Sequence, residues 1–122
     1  MMTEKKVAIL ILNYNGIDYL TKFVPTLIKF TPNFCELIVA DNASTDNSVA
    51  FLKSNYPDIK IIQLSENHGF ADGYNRAIDF INHEYTLLLN SDIEVTENWI
   101  TPLYEMITKD DNIGAVQPVV LS

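Results

Sequence analysis

The stretch VAILILN, residues 7–13, indicates the class of fold. It is an uninterrupted apolar run, rich in β-branched side chains, that ends in Asn13. A strand with one face in water alternates apolar and polar residues, whereas a strand buried on both faces reads as a continuous apolar run. We therefore predict a strand covered on both sides, as strands are in a parallel sheet that lies between helices.

Further apolar runs alternate with helical patterns along the chain. We predict four more strands: CELIVAD (35–41), IKIIQL (59–64), YTLLLN (85–90) and IGAVQPVV (113–120). Strands and helices that alternate in this way predict an α/β fold, with a mostly parallel sheet and helices on both faces.

Helical periodicity occupies the intervals between the strands. The apolar residues of 17–30 share one helical face, although Pro25 within that pattern predicts a kink or a late start. Ser44, Thr45 and Asp46 carry the chemistry of an N-cap. The predicted helices are 17–30, a short helix from this cap through Leu52, a helix with Phe70, Tyr74, Ala77, Ile78 and Ile81 on one face, and a helix over about 98–109.

Composition limits the class of protein. The 122 residues are enough for one domain with a hydrophobic core, and no apolar run is long enough to span a bilayer. The net charge of −8, with Arg76 as the single arginine, argues against nucleic-acid binding. The lone Cys35 and the absence of a signal-peptide pattern predict a cytoplasmic protein, or one that lies peripherally at the cytoplasmic face of a membrane.

Polar residues follow four of the predicted strands. In a parallel sheet, ligands bind beyond the carboxyl ends of the strands. Asn, Asp and Ser are also the residues that ordinary loops prefer, so the pattern by itself leaves a structural and a ligand-binding interpretation open. The strand ends are Asn13-Tyr14-Asn15, Asp41-Asn42-Ala43-Ser44, Ser65-Glu66-Asn67 and Asn90-Ser91-Asp92.

This predicted edge has side chains that suit a nucleotide diphosphate. Tyr14 could stack on a base, and Asp41 could accept a hydrogen bond from a base N–H. Asp92 could bind a metal ion that bridges the phosphates, with Asn90 beside it. Gly69, before a predicted helix, allows close approach of the backbone to an anion. Neither GxGxxG nor GKS or GKT occurs in the sequence, so a Rossmann dehydrogenase or a P-loop enzyme is not supported.

Four segments together resemble family 2 glycosyltransferases of the GT-A type, in particular rhamnosyltransferase-like members. The matching segments, in the order of the family, are ILNYNG (11–16), IVADNASTDNS (38–48), ENHGFADGYNRAI (66–78) and LLLNSDIEV (87–95). Each motif is weak alone, but the ordered set is specific and covers nearly the whole chain. The resemblance implies that the chain is the Rossmann-like half of a GT-A glycosyltransferase, the half that binds the nucleotide sugar.

The resemblance also implies a reaction and a set of site residues. A divalent metal, Mn²⁺ or Mg²⁺, would assist transfer of the sugar to an acceptor hydroxyl, with inversion at the anomeric carbon. Asp92 and Asn90 match the metal motif, usually Asp-x-Asp, with Asn90 in place of the first aspartate. Many members have an arginine where this chain has Tyr74. The expected donor-binding residues are Tyr14, Asn15, Asp41, Asn42, Asn67, Gly69, Asn75, Asn90 and Ser91.

The family's general base lies after the strand that would end near residue 120. We therefore expect residues 1–122 to be the donor-binding domain of a longer enzyme, inactive alone and prone to self-association. The resemblance implies a saccharide or lipid-linked acceptor and a role in cell-surface polysaccharide biosynthesis. One alternative is a non-catalytic nucleotide-sugar-binding or regulatory module of the same fold. A receiver-like signalling domain is disfavoured, because no lysine ends the fifth predicted strand.

Overall fold

A computed structural model describes residues 6–90, 99–102, 104 and 105 of the chain, with the backbone alone for Asn90. Its strands are β1 (Val7–Asn13), β2 (Cys35–Asp41), β3 (Lys60–Gln63) and β4 (Tyr85–Asn90). Its helices are α1 (Ile17–Phe30), α2 (Ser48–Asn55) and α3 (Phe70–Ile78). The strand predicted at 113–120 lies outside the described residues. Of the helix predicted at about 98–109, the described residues 101, 102, 104 and 105 are helical, whereas residues 99 and 100 are not.

The four strands form one parallel sheet in the order β3-β2-β1-β4. Leu10 in the centre of β1 pairs with Ile38 on one side and with Leu88 on the other. The bounds predicted for β1, β2 and β4 are confirmed, and β3 is one residue shorter at each end than IKIIQL. The chain adds β2 and β3 on one side of β1 and then returns to add β4 on the other side.

Helices pack on both faces of the sheet at the central strand β1, whereas Thr86 and Leu88 of the edge strand β4 are exposed. Ile9 and Ile11 of β1 share a core cluster with residues of α1 and α2, whereas Ala8 and Leu10 share one with Tyr74 and Ala77 of α3. Ile9 and Leu10 are both 0% exposed, because consecutive side chains of a strand point to opposite faces. The predicted α/β fold with helices on both faces is confirmed.

Helix α1 has the predicted bounds and is continuous through Pro25. Its buried residues Leu20, Val24 and Leu27 recur at helical spacing and pack on the sheet. Pro25 lies on the exposed side, where water can satisfy the carbonyl group that a proline leaves without a helical partner. The alternative of a late start is wrong, since the helix begins at Ile17.

Helix α2 begins at Ser48, after the cap residues Ser44, Thr45 and Asp46 that the sequence offered. The predicted start is wrong: the N–H groups of Ser44 and Thr45 are bonded to Asp41 and Asn15, and of the three cap residues only Asp46 accepts an N–H of the helix, that of Ser48. The helix also ends at Asn55, three residues beyond the predicted Leu52. None of the helices in the described part of the chain combines the length and the apolar character needed to cross a membrane.

Candidate functional site

Three parallel strands end side by side at the carboxyl edge of the sheet. Asn13 of β1 pairs with Asp41 of β2, and Leu12 pairs with Asn90 of β4. The chain order changes direction between β1 and β4, and α/β sheets form their ligand crevice at such a point. Asn13 and Asp41 thus lie beside the place where a ligand is expected.

Asp41 is a buried carboxylate that is held in a fixed orientation. It is 4% exposed. Its Oδ1 accepts hydrogen bonds from Asn13 Nδ2 at 3.0 Å and from the Ser44 hydroxyl at 2.7 Å, and its Oδ2 accepts one from the Ser44 N–H at 2.9 Å. A carboxylate has about four acceptor positions. One position therefore remains for a donor outside this network.

Asn13 is a site residue that the sequence showed only as a strand end. The side chain is 0% exposed, and its Nδ2 donates to Asp41 and, at 3.3 Å, to the Ser44 hydroxyl oxygen. Its Oδ1 is buried and has no hydrogen-bond partner among the residues described. A polar side chain at the end of an otherwise apolar strand was the signal in the sequence.

Asn15 joins the loop after β1 to the loop after β2. Its Oδ1 accepts hydrogen bonds from the N–H groups of Thr45, at 2.7 Å, and Asp46, at 3.1 Å. The Asn15 N–H donates in turn to the Ser44 hydroxyl oxygen at 2.9 Å. Asn15 and Ala43 both have positive φ values, of 50° and 63°. Asparagine tolerates this conformation, whereas alanine does so at a cost in energy, and such strain is common at functional sites.

Asp46 connects the starts of two helices. Its Oδ2 accepts the Ile17 N–H at 3.1 Å, at the start of α1, and its Oδ1 accepts the Ser48 N–H at 2.9 Å and the Ser48 hydroxyl, at the start of α2. Partial burial raises the pKa of Asp46, but the hydrogen bonds from Ser48 and Ile17 favour the charged form and hold this pKa below its ordinary value. The sequence identified Asp46 only as a cap candidate.

Asn42 holds the loop that precedes α3. Its Nδ2 donates to the Gly69 carbonyl at 3.1 Å, and its Oδ1 accepts the His68 N–H at 2.9 Å. Asn67 Oδ1 accepts the Gly69 N–H at 2.8 Å, and Gly69 itself has a φ of 76°. A Cβ added at Gly73 would lie 3.1 Å from Asn42 Nδ2, so this glycine permits the close approach of α3.

Two aromatic side chains are exposed near this edge. Tyr14, directly after β1, is 49% exposed, and Phe70, the first residue of α3, is 65% exposed. Tyr14 is therefore free to contact a planar ligand. Asn75 is exposed on α3, one residue past the buried Tyr74.

Arg76 forms an ion pair, and both histidine side chains lie close to carboxylates outside the hydrogen-bond network of Asp41. His68 Nδ1 lies 3.5 Å from Asp72 Oδ2, and Arg76 Nε lies 3.0 Å from the same oxygen. His83 Nε2 lies 2.8 Å from Glu36 Oε1, at the opposite end of the sheet. Within the described residues there is no group of three or more His, Cys, Asp or Glu side chains that could hold a metal. The predicted metal ligand Asp92, Ser91 and the side chain of Asn90 lie outside the residues described.

Comparison with known proteins identifies relatives of this chain. The family model "Glycosyl transferase family 2" matches residues 8–122. The uncharacterized glycosyltransferase YibD of Escherichia coli is 30% identical over 114 residues, which cover 91% of this chain and 33% of YibD. The chain spans about a third of the length of curated relatives that are 30–31% identical to it.

Solved structures of glycosyltransferases share the fold. Staphylococcus aureus TarS 1–349 in complex with UDP-GlcNAc matches with a TM-score of 0.72 at 22% identity, over 92% of this chain and 37% of that chain. The mannosyltransferase PcManGT from Pyrobaculum calidifontis, in complex with GDP-Man and Mn²⁺, matches with a TM-score of 0.62 at 21% identity, over 75% and 29% of the two chains. At these identities the likeness shows the fold.

Proposed function

Because the chain belongs to glycosyl transferase family 2, we propose that it binds a nucleotide-diphosphate sugar at the carboxyl edge of its sheet. This sugar is the donor for transfer to an acceptor hydroxyl. The observation that carries the proposal is the buried Asp41, which has an acceptor position left over and pairs across the sheet with Asn13, the residue before the exposed Tyr14. A fixed acceptor and an exposed aromatic ring on adjacent strand ends suit the N–H edge and the flat face of a nucleobase.

The polar residues at this edge divide into two roles. Tyr14 and Asp41 contact the nucleobase of the donor. The side-chain oxygens of Asn15 and Asn42 are already hydrogen-bonded to neighbouring loops, and that of Asn67 to the Gly69 N–H of its own loop. We assign these three residues to holding the loops in place, so that the site is formed before the donor arrives and less order is lost on binding.

The donor diphosphate requires positive charge that a chain of net charge −8 does not supply. Asp92 and Asn90 offer a carboxylate and an amide oxygen, which are ligands that suit Mg²⁺ and Mn²⁺. A structural neighbour contains Mn²⁺ with its sugar nucleotide. Bound between Asp92 and the phosphates, such an ion would stabilise negative charge on the leaving diphosphate. Ser91, Gly69 and Asn75 complete the proposed donor site.

Transfer with inversion needs a general base, a side chain that takes the proton of the acceptor hydroxyl. Asp41 is assigned to the nucleobase, and Asp46 is hydrogen-bonded to the starts of two helices, so we assign the general base to neither of them. Since the curated relatives that are 30–31% identical are about three times as long as this chain, we propose that the general base and the acceptor site belong to a longer enzyme. The acceptor is a saccharide or a lipid-linked saccharide.

Calorimetric titration with UDP, dTDP and GDP, each with and without Mn²⁺, tests the proposal. UDP is the first candidate, because the structural neighbour TarS was solved with UDP-GlcNAc. We expect one nucleotide to bind with an affinity that Mn²⁺ increases at least tenfold. If none of the three binds to the protein at its full natural length, the donor-binding function is wrong. Binding without sugar transfer there would support the non-catalytic module instead.

Two variants separate the contact of Asp41 with the nucleobase from the contact of Asp92 with the metal. Asp92→Ala is expected to abolish the gain in affinity that Mn²⁺ provides and to leave metal-free binding unchanged. Asp41→Asn is expected to weaken binding with and without Mn²⁺ equally. Identical Mn²⁺ dependence in Asp92→Ala and in the parent protein would refute the assignment of the metal ligand.

A further inference from the structure

Asn13 is a buried amide whose nitrogen is hydrogen-bonded and whose oxygen is not. Its Nδ2 donates to Asp41 Oδ1 at 3.0 Å, whereas its Oδ1 is buried and has no partner among the residues described. The nitrogen must be the atom that faces Asp41, since an amide oxygen there would repel the carboxylate. A buried acceptor without a partner costs stability, and costs of this kind are typical of functional sites. The unpaired oxygen therefore indicates that this asparagine serves through its donor Nδ2.

The hydrogen bonds of Asp41 differ in what they connect. Ser44 donates its hydroxyl to Oδ1 at 2.7 Å and its N–H to Oδ2 at 2.9 Å, but Ser44 lies only three residues after Asp41. These two bonds hold the carboxylate relative to its own loop. The bond from Asn13, which lies 28 positions away, holds the carboxylate relative to β1. Among the contacts of the described residues, Asn13 alone bonds the Asp41 carboxylate to another strand.

Asn13 also directly precedes Tyr14, the exposed ring that is assigned to the face of the nucleobase. The contact with the edge of the base thus comes from the end of β2, and the contact with its face comes from the end of β1. Asn13 Nδ2 bonds the first group to the strand that carries the second. Because a nucleobase is rigid and planar, its N–H meets the carboxylate only when these two contacts keep a fixed relation.

A carboxylate held in this way distinguishes between nucleobases. It only accepts hydrogen bonds, and Asp41 has one acceptor position left. Uracil and thymine present N3–H, and guanine presents N1–H, whereas N3 of cytosine and N1 of adenine are acceptors. An acceptor that faces an acceptor leaves both without a partner. A carboxylate that was free to turn would instead accept the exocyclic amino group of cytosine or adenine.

We propose that Asn13 is a positioning residue that sets the nucleobase selectivity of the donor site. Asn13 is 0% exposed and touches no ligand itself; it fixes the direction in which Asp41 accepts a hydrogen bond. The inference rests on the proposed function. It goes beyond that function by assigning the preference for a base with a ring N–H to a residue that the base does not contact.

The test compares Asn13→Leu with Ser48→Ala in the protein at its full natural length. Leucine is close to asparagine in volume and removes both the donor and the unpaired oxygen. Ser48 is also 0% exposed, and its hydroxyl also donates to a carboxylate, that of Asp46, so Ser48→Ala controls for the loss of a buried hydrogen bond. Calorimetry in the presence of Mn²⁺ measures the affinities for UDP and CDP, and for GDP and ADP as a second pair.

We expect the parent protein to bind UDP at least about tenfold more tightly than CDP, as one hydrogen bond to a charged group allows. Asn13→Leu should lower the affinity for UDP and narrow this preference to about threefold or less, because the carboxylate can then turn towards the amino group of cytosine. Ser48→Ala should keep the ratio within about twofold of that of the parent. If the parent binds GDP in place of UDP, the same changes are expected for GDP relative to ADP.

Other outcomes overturn the inference. An equal loss of affinity for both nucleotides of a pair in Asn13→Leu would show a general structural role, and no loss for either would show that Asn13 positions nothing. A parent protein without a preference within either pair would have no selectivity for Asn13 to set. If Asn13→Leu does not fold, Asn13→Ala, which adds no bulk, is measured with the same expectation, and failure of both to fold would assign Asn13 to stability alone. Failure of the proposed function is visible separately, since the parent would then bind none of UDP, dTDP and GDP, and the inference would fall with it.

Discussion

Replacement of Asp46 by alanine tests the connection between the starts of α1 and α2. One carboxylate accepts the Ile17 N–H at 3.1 Å and the Ser48 N–H at 2.9 Å, and it also accepts the Ser48 hydroxyl. The first N–H groups of a helix have no partner within the helix. Asp46→Ala therefore removes the acceptor from two helix starts at once.

The expected cost follows from these contacts. Loss of a capping side chain costs about 1 kcal/mol for each helix. The Ser48 hydroxyl, on a residue that is 0% exposed, loses its acceptor at about 1 kcal/mol more. The sum is roughly 2–4 kcal/mol at pH 7, where Asp46 is ionised. For a domain of this size, each kcal/mol lowers Tm by about 3–5 °C.

The pH dependence gives an independent check. Because hydrogen bonds lower the pKa of Asp46 in the folded state, its stabilisation is complete above the pKa of the unfolded chain. It is lost as the pH falls through the lower pKa of the folded state. The difference in free energy of unfolding between the parent and Asp46→Ala should therefore be constant above about pH 6 and shrink below about pH 4.

Urea denaturation at several pH values measures both effects. Asp18→Ala is the matched control, because Asp18 is an exposed carboxylate in the first turn of α1 and should contribute only about 0.3–1 kcal/mol through the helix dipole. If Asp46→Ala costs no more than Asp18→Ala, or if its cost at pH 3 equals that at pH 7, the reasoning is wrong.

Three further substitutions test the loops at the carboxyl edge, each by chemical unfolding. Gly73→Ala should cost about 1–3 kcal/mol, since the added Cβ would lie 3.1 Å from Asn42 Nδ2; a neutral effect would mean that α3 does not pack so closely. Ala43→Gly should be neutral or stabilising by up to about 1 kcal/mol because φ is 63°, whereas Ala50→Gly, at an exposed helical position, should cost about 0.5–1 kcal/mol; equal costs would contradict the strain at Ala43. Asn42→Asp should cost about 2–3 kcal/mol, because an oxygen would face the Gly69 carbonyl in place of the donor Nδ2, and a cost below about 0.5 kcal/mol would contradict this contact.

Local patterns in the sequence were sufficient for most of the fold. The runs VAILILN, CELIVAD and YTLLLN matched β1, β2 and β4 residue for residue, and α1 has its predicted bounds. The strand β1 is buried on both faces and has no polar residue before Asn13, whereas the helix α1 is buried on one face and shows apolar residues at helical spacing, so both patterns are visible along the chain. The parallel order also placed Asp41 at the edge where a ligand is expected.

The tertiary structure alone decided what each polar residue at that edge does. Asn42 contacts the backbone of His68 and Gly69, which lie 26 and 27 positions away. The Tyr74 hydroxyl of α3 donates to the Leu89 carbonyl of β4, and the Thr45 N–H donates to Asn15 in the loop after β1. Such contacts join segments that are distant in sequence, so no local pattern encodes them. The sequence determined where the polar edge lies, and the packing of the loops decided which of its side chains hold the site together and which remain free for a ligand.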